Sequence, residues 1–156
     1  MSRKKFDYIF SNFGGLNCTD DLKNIFPQFS DLLQTGGFVT LVVMPKFYPW
    51  EMLSALKGSK NAFRRFRGNG TAIVGEETIP VLYHSPGDIK SAFPENFRHI
   101  STQNIGTFYP SAHFKSLQRY ENAIRFLVKL DEILNRSWMM PKGIGDYFII
   151  TFQKTC

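Results

Sequence analysis

The run Ser11-Asn12-Phe13-Gly14-Gly15-Leu16-Asn17 holds the residue types in this chain best suited to gripping a ligand. A serine hydroxyl and two carboxamides can donate and accept hydrogen bonds. The glycines let backbone approach a bound group closely. The apolar run Tyr8-Ile9-Phe10 just before it reads as a buried strand. The turn then stands at a strand's carboxyl end, where open α/β sheets bind ligands. A plain strand-to-helix turn, with Asn12 and Asn17 bonding its own backbone, is the structural alternative. Asn17 can bond substrate or brace the turn. Farther along, His84 is the candidate general base, because an imidazole accepts a proton near neutral pH. A histidine closing a strand can equally be structural. Trp50 and Tyr83 are the candidate pocket residues among the rings Phe47, Tyr48, Trp50, Phe63, Phe66 and Tyr83. An aromatic lid suits an apolar or planar substrate; core filling under a hairpin is the competing account. Cys18 stands beside a helix start, which can lower a thiol pKa, or it is a small packed thiol. No His or Cys pair has metal-ligand spacing, so no metal is expected.

The elements that must position these residues follow from the pattern. Residues 7–11 are the first strand and residues 38–44 the second, both apolar enough to be buried on two faces. Thr19 followed by Asp20 and Asp21 marks a helix start between them. Pro27 is expected to restart that helix, and Gly36 or Gly37 to end it. Pro49-Trp50-Glu51 opens a short helix. Residues 71–74 and 79–83 read as a hairpin with Gly75-Glu76-Glu77 in its turn. Ser85, Pro86 and Asp88 spell a capping box. Residues 97–108 are extended, residues 114–135 form the longest helix, and residues 146–153 are the last strand. No repeat and no low-complexity segment interrupts the chain, so residues 1–156 read as one domain.

Composition narrows the class. The chain has 156 residues, 43% hydrophobic and 21% charged, which is globular rather than disordered. Sixteen phenylalanines point to a phenylalanine-rich core, an aromatic-lined pocket, or both. The net charge is +6. Its clusters, Arg3-Lys4-Lys5 and Arg64-Arg65 with Arg67, read first as solvated surface and second as a phosphate-binding patch. Arg64, Arg65 and Arg67 with Phe63 and Phe66 would be the patch of a nucleic-acid module, a weaker reading. Two cysteines do not make a disulfide framework, and no signal peptide is visible, so a cytoplasmic location with reduced thiols is expected. No apolar run reaches the length of a membrane span.

The order of elements, with FDYIFSNFGGLN and GGFVTLVVM, resembles the second half of class I S-adenosylmethionine-dependent methyltransferases. The resemblance implies an α/β, Rossmann-like fold: a mixed sheet in the order 4-5-7-6 with helices on both faces. Residues 7–11 would be strand 4, 38–44 strand 5, 97–108 strand 6 and 147–152 strand 7. Residues 47–95 would be the substrate-side insertion. It further implies S-adenosylmethionine as cofactor, with Ser11, Asn12, Phe13 and Gly14 facing it. Ser11 and Asn12 would hold its amino-acid part, and the Phe13 ring face would lie near the sulfonium. Asn17, Trp50 and Tyr83 would face a small-molecule substrate.

The departures matter as much. The family's glycine-rich loop after strand 1 and its ribose-holding acid after strand 2 have no counterpart here. The Asp/Asn-Pro-Pro-Tyr pattern of nucleic-acid amino-methyltransferases is also absent, which argues against a DNA substrate. The chain is therefore expected to be a C-terminal portion: an expressed fragment, a truncated frame or one half of a split enzyme. Weak or no cofactor binding by the chain alone is expected. A non-catalytic remnant that binds or dimerises is the alternative. The unpaired edge of the first strand is expected to recruit a second copy or a complementary N-terminal half.

Overall fold

The structure is a computed structural model that describes residues 5–12, 14–58, 63–110, 119–137 and 140–155. Its main sheet has four strands in the order β1-β2-β6-β5, and a separate hairpin pairs β3 with β4. The elements are β1 (Phe6–Ser11), α1 (Leu22–Leu32), β2 (Leu33–Val43), α2 (Pro49–Leu53), β3 (Asn69–Val74), β4 (Glu77–Leu82), α3 (Pro86–Ala92), β5 (Phe97–Ile105), α4 (Glu121–Arg136) and β6 (Tyr147–Lys154). β1 and β2 run parallel, while β6 is antiparallel to both β2 and β5. This is the strand order and direction implied by the resemblance.

One face of the sheet carries the core. Val39, Leu41 and Val43 of β2 lie beside Phe148, Ile150 and Phe152 of β6, under Leu22 and Phe26 of α1 and Ile89 of α3. The side chains alternate because successive residues of a strand point to opposite faces. Much of the filling is phenylalanine. Phe93 stacks on Phe26 at 4.3 Å and on Phe152 at 3.8 Å, with Phe97 edge-on at 5.2 Å. Such pairs add about 0.5–1.5 kcal/mol beyond their area burial. Lys154 is buried at the end of β6, and its ammonium donates to the carbonyls of Ser30 and Leu33 at 2.7 and 3.1 Å. A cation there meets the negative end of α1.

The capping box at α3 forms as the sequence predicts. The Asp88 N–H donates to Ser85 Oγ at 3.1 Å, and the Ser85 N–H donates to Asp88 Oδ2 at 2.8 Å. Three boundary expectations need correction. α1 runs through Pro27 without a restart, and its cap is Asp21, with Thr19 accepting from the Asp21 N–H. Gly36 and Gly37 do not end the helix: α1 stops at Leu32 and β2 begins at once. Instead the two glycines make a bulge in β2, where pairing with β1 jumps from Phe6↔Leu33 to Tyr8↔Phe38. Gly36 has φ +84°, and a Cβ on Gly37 would stand 3.0 Å from the Asp7 carbonyl oxygen, so a larger residue would be strained at the first and crowded at the second. The long helix is Glu121–Arg136; the first residues of its expected span, 114–118, lie outside the described residues.

α4 is anchored beside β5. Its Asp131 carboxylate accepts from the Thr107 N–H at 3.1 and 3.2 Å, and Asn135 Nδ2 donates to the Asn104 carbonyl at 2.8 Å. Burial raises the Asp131 pKa above its ordinary value, against the backbone N–H groups that favour its charged form. The other sheet face is open beside β1, where Phe6, Tyr8, Phe10 and Phe38 are all exposed. Among the described residues, no helix is long and apolar enough to cross a membrane.

Candidate functional site

Parallel pairing of β1 with β2 brings two strand ends together. Past Ser11 the chain must turn away, and the turn is held against β2 rather than left free. The Gly14 N–H donates to the Val42 carbonyl at 3.1 Å. Gly14 has φ +71°, and a Cβ there would meet Asn17 Oδ1 at 3.0 Å and Met44 Cε at 3.1 Å. Only glycine takes this conformation and this spacing without strain. Gly15 is exposed, and a Cβ on it would find only Ser11 Oγ, 3.8 Å away. The solvent side of the turn therefore presents bare backbone, the Ser11 hydroxyl and Asn12. Phe13 lies outside the described residues.

Asn17 is fully buried and braces the turn. Its Nδ2 donates to the carbonyls of Met44 at 3.1 Å and Leu82 at 2.5 Å, and its Oδ1 accepts the Met44 N–H at 2.9 Å. Both amide hydrogens and one Oδ1 lone pair are spent on backbone, and the side chain is fully buried, so Asn17 has no exposed group to present to a substrate in this arrangement. Of the two roles open in the sequence, bracing is the one this geometry performs. The same Met44 carbonyl also accepts the His84 N–H at 3.3 Å. The ends of β2 and β4 and the 11–17 turn thus converge on one peptide group.

His84 is half-buried at that junction and lines a cleft of about 500 Å³, together with Asp20, Asp21, Leu22, Asn24 and Asp88. Burial pushes its pKa below the ordinary 6.5, opposed by the Asp88 carboxylate and a hydrogen bond with the Leu16 backbone. That direction favours the neutral ring, the state a general base needs. Its Nε2 is buried without a hydrogen-bond partner among the described residues. Asp88 pairs with Lys46 at 2.7 Å. Burial works to raise its carboxyl pKa, but the Lys46 ammonium and the bonds to Ser85 outweigh it and hold the group below its ordinary value.

Tyr83 is 4% exposed and lies beneath a guanidinium. Arg65 stands over the Tyr48 ring at 4.9 Å and over the Tyr83 ring at 5.5 Å, within cation–π range. Its Nε donates to Glu51 Oε2 at 2.5 Å, its Nη2 to Asp146 Oδ1 at 2.7 Å and its Nη1 to the Asp146 carbonyl at 2.8 Å. Arg64 pairs with the other Glu51 oxygen. Burial pushes the hydroxyls of Tyr48 and Tyr83 upward in pKa. Tyr83 is therefore a packing partner rather than a pocket wall in this arrangement. Trp50 is half-buried on α2, one residue from Glu51.

This cluster corrects the reading of the basic residues. Arg65 is neither solvated surface nor a free phosphate ligand: its side chain is 8% exposed and bound by two carboxylates. Arg65 is thereby withdrawn from the interleaved basic patch, while Phe63, Arg64, Phe66 and Arg67 are exposed. Nothing local in the sequence pairs Glu51 or Asp146 with Arg65, because they stand 14 and 81 positions from the arginine they hold.

No protein-family model matches the chain, and no curated protein matches it. Solved structures do. One is an S-adenosylmethionine-dependent methyltransferase from Clostridium acetobutylicum, with a TM-score of 0.53 and 10% identity over 99% of this chain. Another is an S-adenosylmethionine-dependent methyltransferase from Mesorhizobium loti, with a TM-score of 0.50 and 13% identity over 96% of this chain. The chain covers 60% and 62% of those proteins' lengths, respectively. At such identity the likeness is one of fold: an α/β mixed sheet of the Rossmann-like kind.

Proposed function

We propose that the chain is the substrate-side, C-terminal portion of an S-adenosylmethionine-dependent methyltransferase domain that acts on a small molecule, and that it is inactive alone. The observation that carries this reading is the strand order β1-β2-β6-β5 with β6 antiparallel to both neighbours. Two solved proteins of similar fold bear that activity in their names. The order puts the 11–17 turn at the carboxyl end of β1, beside the end of β2, where open sheets take ligands.

The residues present fit one wall of a cofactor site. Ser11 and Asn12 would hold the amino-acid part of S-adenosylmethionine, the exposed Gly15 allows its close approach, and Gly14 shapes the turn beneath. Bound there, the cofactor would supply an electrophilic methyl group. The protein's work is alignment and exclusion of water. His84 would accept a proton from the substrate through Nε2 once opening of the cleft uncovers that buried atom, and Trp50 would contribute a ring to the substrate side. Tyr83 and Asn17 would act indirectly, by packing and by bracing. The glycine-rich loop and ribose-holding acid of the family are not in this sequence, so affinity from one wall is weak.

Titration calorimetry with S-adenosylmethionine is expected to show weak or no binding, and labelled cofactor no turnover. At millimolar cofactor, amide shifts should move at Ser11, Asn12 and Gly15. Tight stoichiometric binding would overturn the one-wall account. Shifts confined to other residues would overturn the ligand-facing turn.

A second reading is a non-catalytic module that binds or dimerises. The observation favouring it is the aromatic face of β1 and β2, where Tyr8 and Phe10 stack at 6.4 Å while more than half exposed. Such a face beside a strand edge that is unpaired among the described residues would be an interaction surface. A homodimer is its first occupant, and a complementary N-terminal half its rival.

A further inference from the structure

The sheet has a second edge. β5 is its last strand and pairs with β6 alone among the described strands. A trough of about 890 Å³ runs beside it, lined by residues 100–104 of β5 and by Lys90, Glu132, Asn135 and Lys142. It shares no lining residue with the His84 cleft. A strand edge carries unpaired N–H and C=O groups and is a template for another strand. The open stretch is bounded at both ends. A bulge between His99 and Ser101 breaks the regular ladder, and the Asn135 side chain already occupies the Asn104 carbonyl at 2.8 Å. Five strand residues span about 16 Å, room for a short extended segment.

Charge selects the occupant. Lys90 and Lys142 flank the trough against the lone carboxylate of Glu132 among its lining residues. The positive field is felt by His99, whose imidazole pKa is lowered first by burial and then by the Lys90 charge. Two lysines against one carboxylate favour an acidic occupant over a basic one.

We propose that the free edge of β5 is a docking site for an extended acidic peptide, which adds to the sheet as a further strand between Lys90 and Lys142. Main-chain hydrogen bonds to residues 100–104, the Asn104 carbonyl excepted, would supply pairing, and the lysines would select carboxylate side chains. The proposal is independent of the methyl-transfer reading.

The test titrates the isotopically labelled chain with the blocked peptide Glu-Val-Glu-Val-Glu and, separately, with Lys-Val-Lys-Val-Lys, following amide shifts. Shifts should concentrate on residues 100–104, with the acidic peptide binding about tenfold tighter than the basic one. Lys90→Glu should erase that preference and Lys90→Gln should halve it in logarithmic terms, each at unchanged circular dichroism; Lys90→Gln alone decides if Lys90→Glu does not fold. Equal affinity for the two peptides, or shifts only outside β5, would overturn the proposal. Displacement of the peptide by inorganic phosphate would reduce the site to an anion contact and overturn it too. So would β5 shifts that follow protein concentration without peptide, since the occupant would then be a second copy.

Discussion

The side chain of Asn17 donates to the carbonyl of Leu82 at 2.5 Å, joining the turn after β1 to the end of β4 across 65 positions of sequence. The same carboxamide exchanges two bonds with Met44 at the end of β2. One buried amide therefore sets the spacing of the three segments around the candidate site, and it does so with every hydrogen it has.

Asn17→Ala removes the partners of the Met44 N–H and the Leu82 carbonyl in a buried place. The Met44 carbonyl keeps the His84 N–H. Two orphaned groups predict a loss of about 2–4 kcal/mol in urea unfolding. A loss below about 1 kcal/mol would contradict the bracing role and return Asn17 to the list of ligand contacts.

Arg65→Met leaves Glu51 buried with only the partly exposed Arg64 as partner. Breaking one side of a buried pair costs about 3–5 kcal/mol. Removing Glu51 as well, in Arg65→Met with Glu51→Leu, should recover much of that loss, because the charges left behind, Arg64 and Asp146, are 43% and 44% exposed and can be hydrated. Double-mutant thermal unfolding reads the coupling. Additive losses would show that the network is not a unit.

Stability should fall as pH drops from 7 to 5. The imidazoles of His84 and His99 have folded pKa values below the ordinary 6.5. The unfolded chain then takes up protons first, so its share grows as pH falls through 6.5 and stops growing below the folded values. Asp88, whose pKa is lowered from 3.8, keeps its contribution throughout this window and loses it only under stronger acid. His84→Gln should flatten part of the slope in unfolding experiments across pH. An unchanged slope would remove burial as the cause.

The open face of β1 predicts a homodimer in light scattering. Tyr8→Lys with Phe10→Lys should yield a folded monomer, since both rings are more than half exposed. Ile9→Lys is a poor probe, because Ile9 packs against the core and a charge there would unfold the chain. A wild-type chain that stays monomeric at high concentration would refute the dimer and leave the edge to a complementary half.

Much of the scaffold was legible in the residues because its signals are local. Apolar runs at 8–10 and 38–44 mark strands by content, and Ser85 with Asp88 marks a helix start within four positions. The hairpin around Gly75 needs only its own turn, and the resemblance supplied strand order. Gly36-Gly37 misled because two glycines serve a helix end and a strand bulge equally well. The choice fell to the Asp7 carbonyl pressing on Gly37 from the neighbouring strand.

The candidate site divides the same way. Residue type alone marked Ser11, Asn12, Gly14 and His84 as capable of chemistry, because hydroxyl, amide, bare backbone and imidazole carry their capacities wherever they stand. Burial and partnership belong to tertiary structure. Asn17 became a brace and Tyr83 a packing surface once Met44, Leu82 and Arg65 closed on them. Arg65 left the surface only because Glu51 and Asp146, distant along the chain, met it in the interior. A buried charge survives only beside its opposite, and no stretch of sequence shorter than the fold contains both.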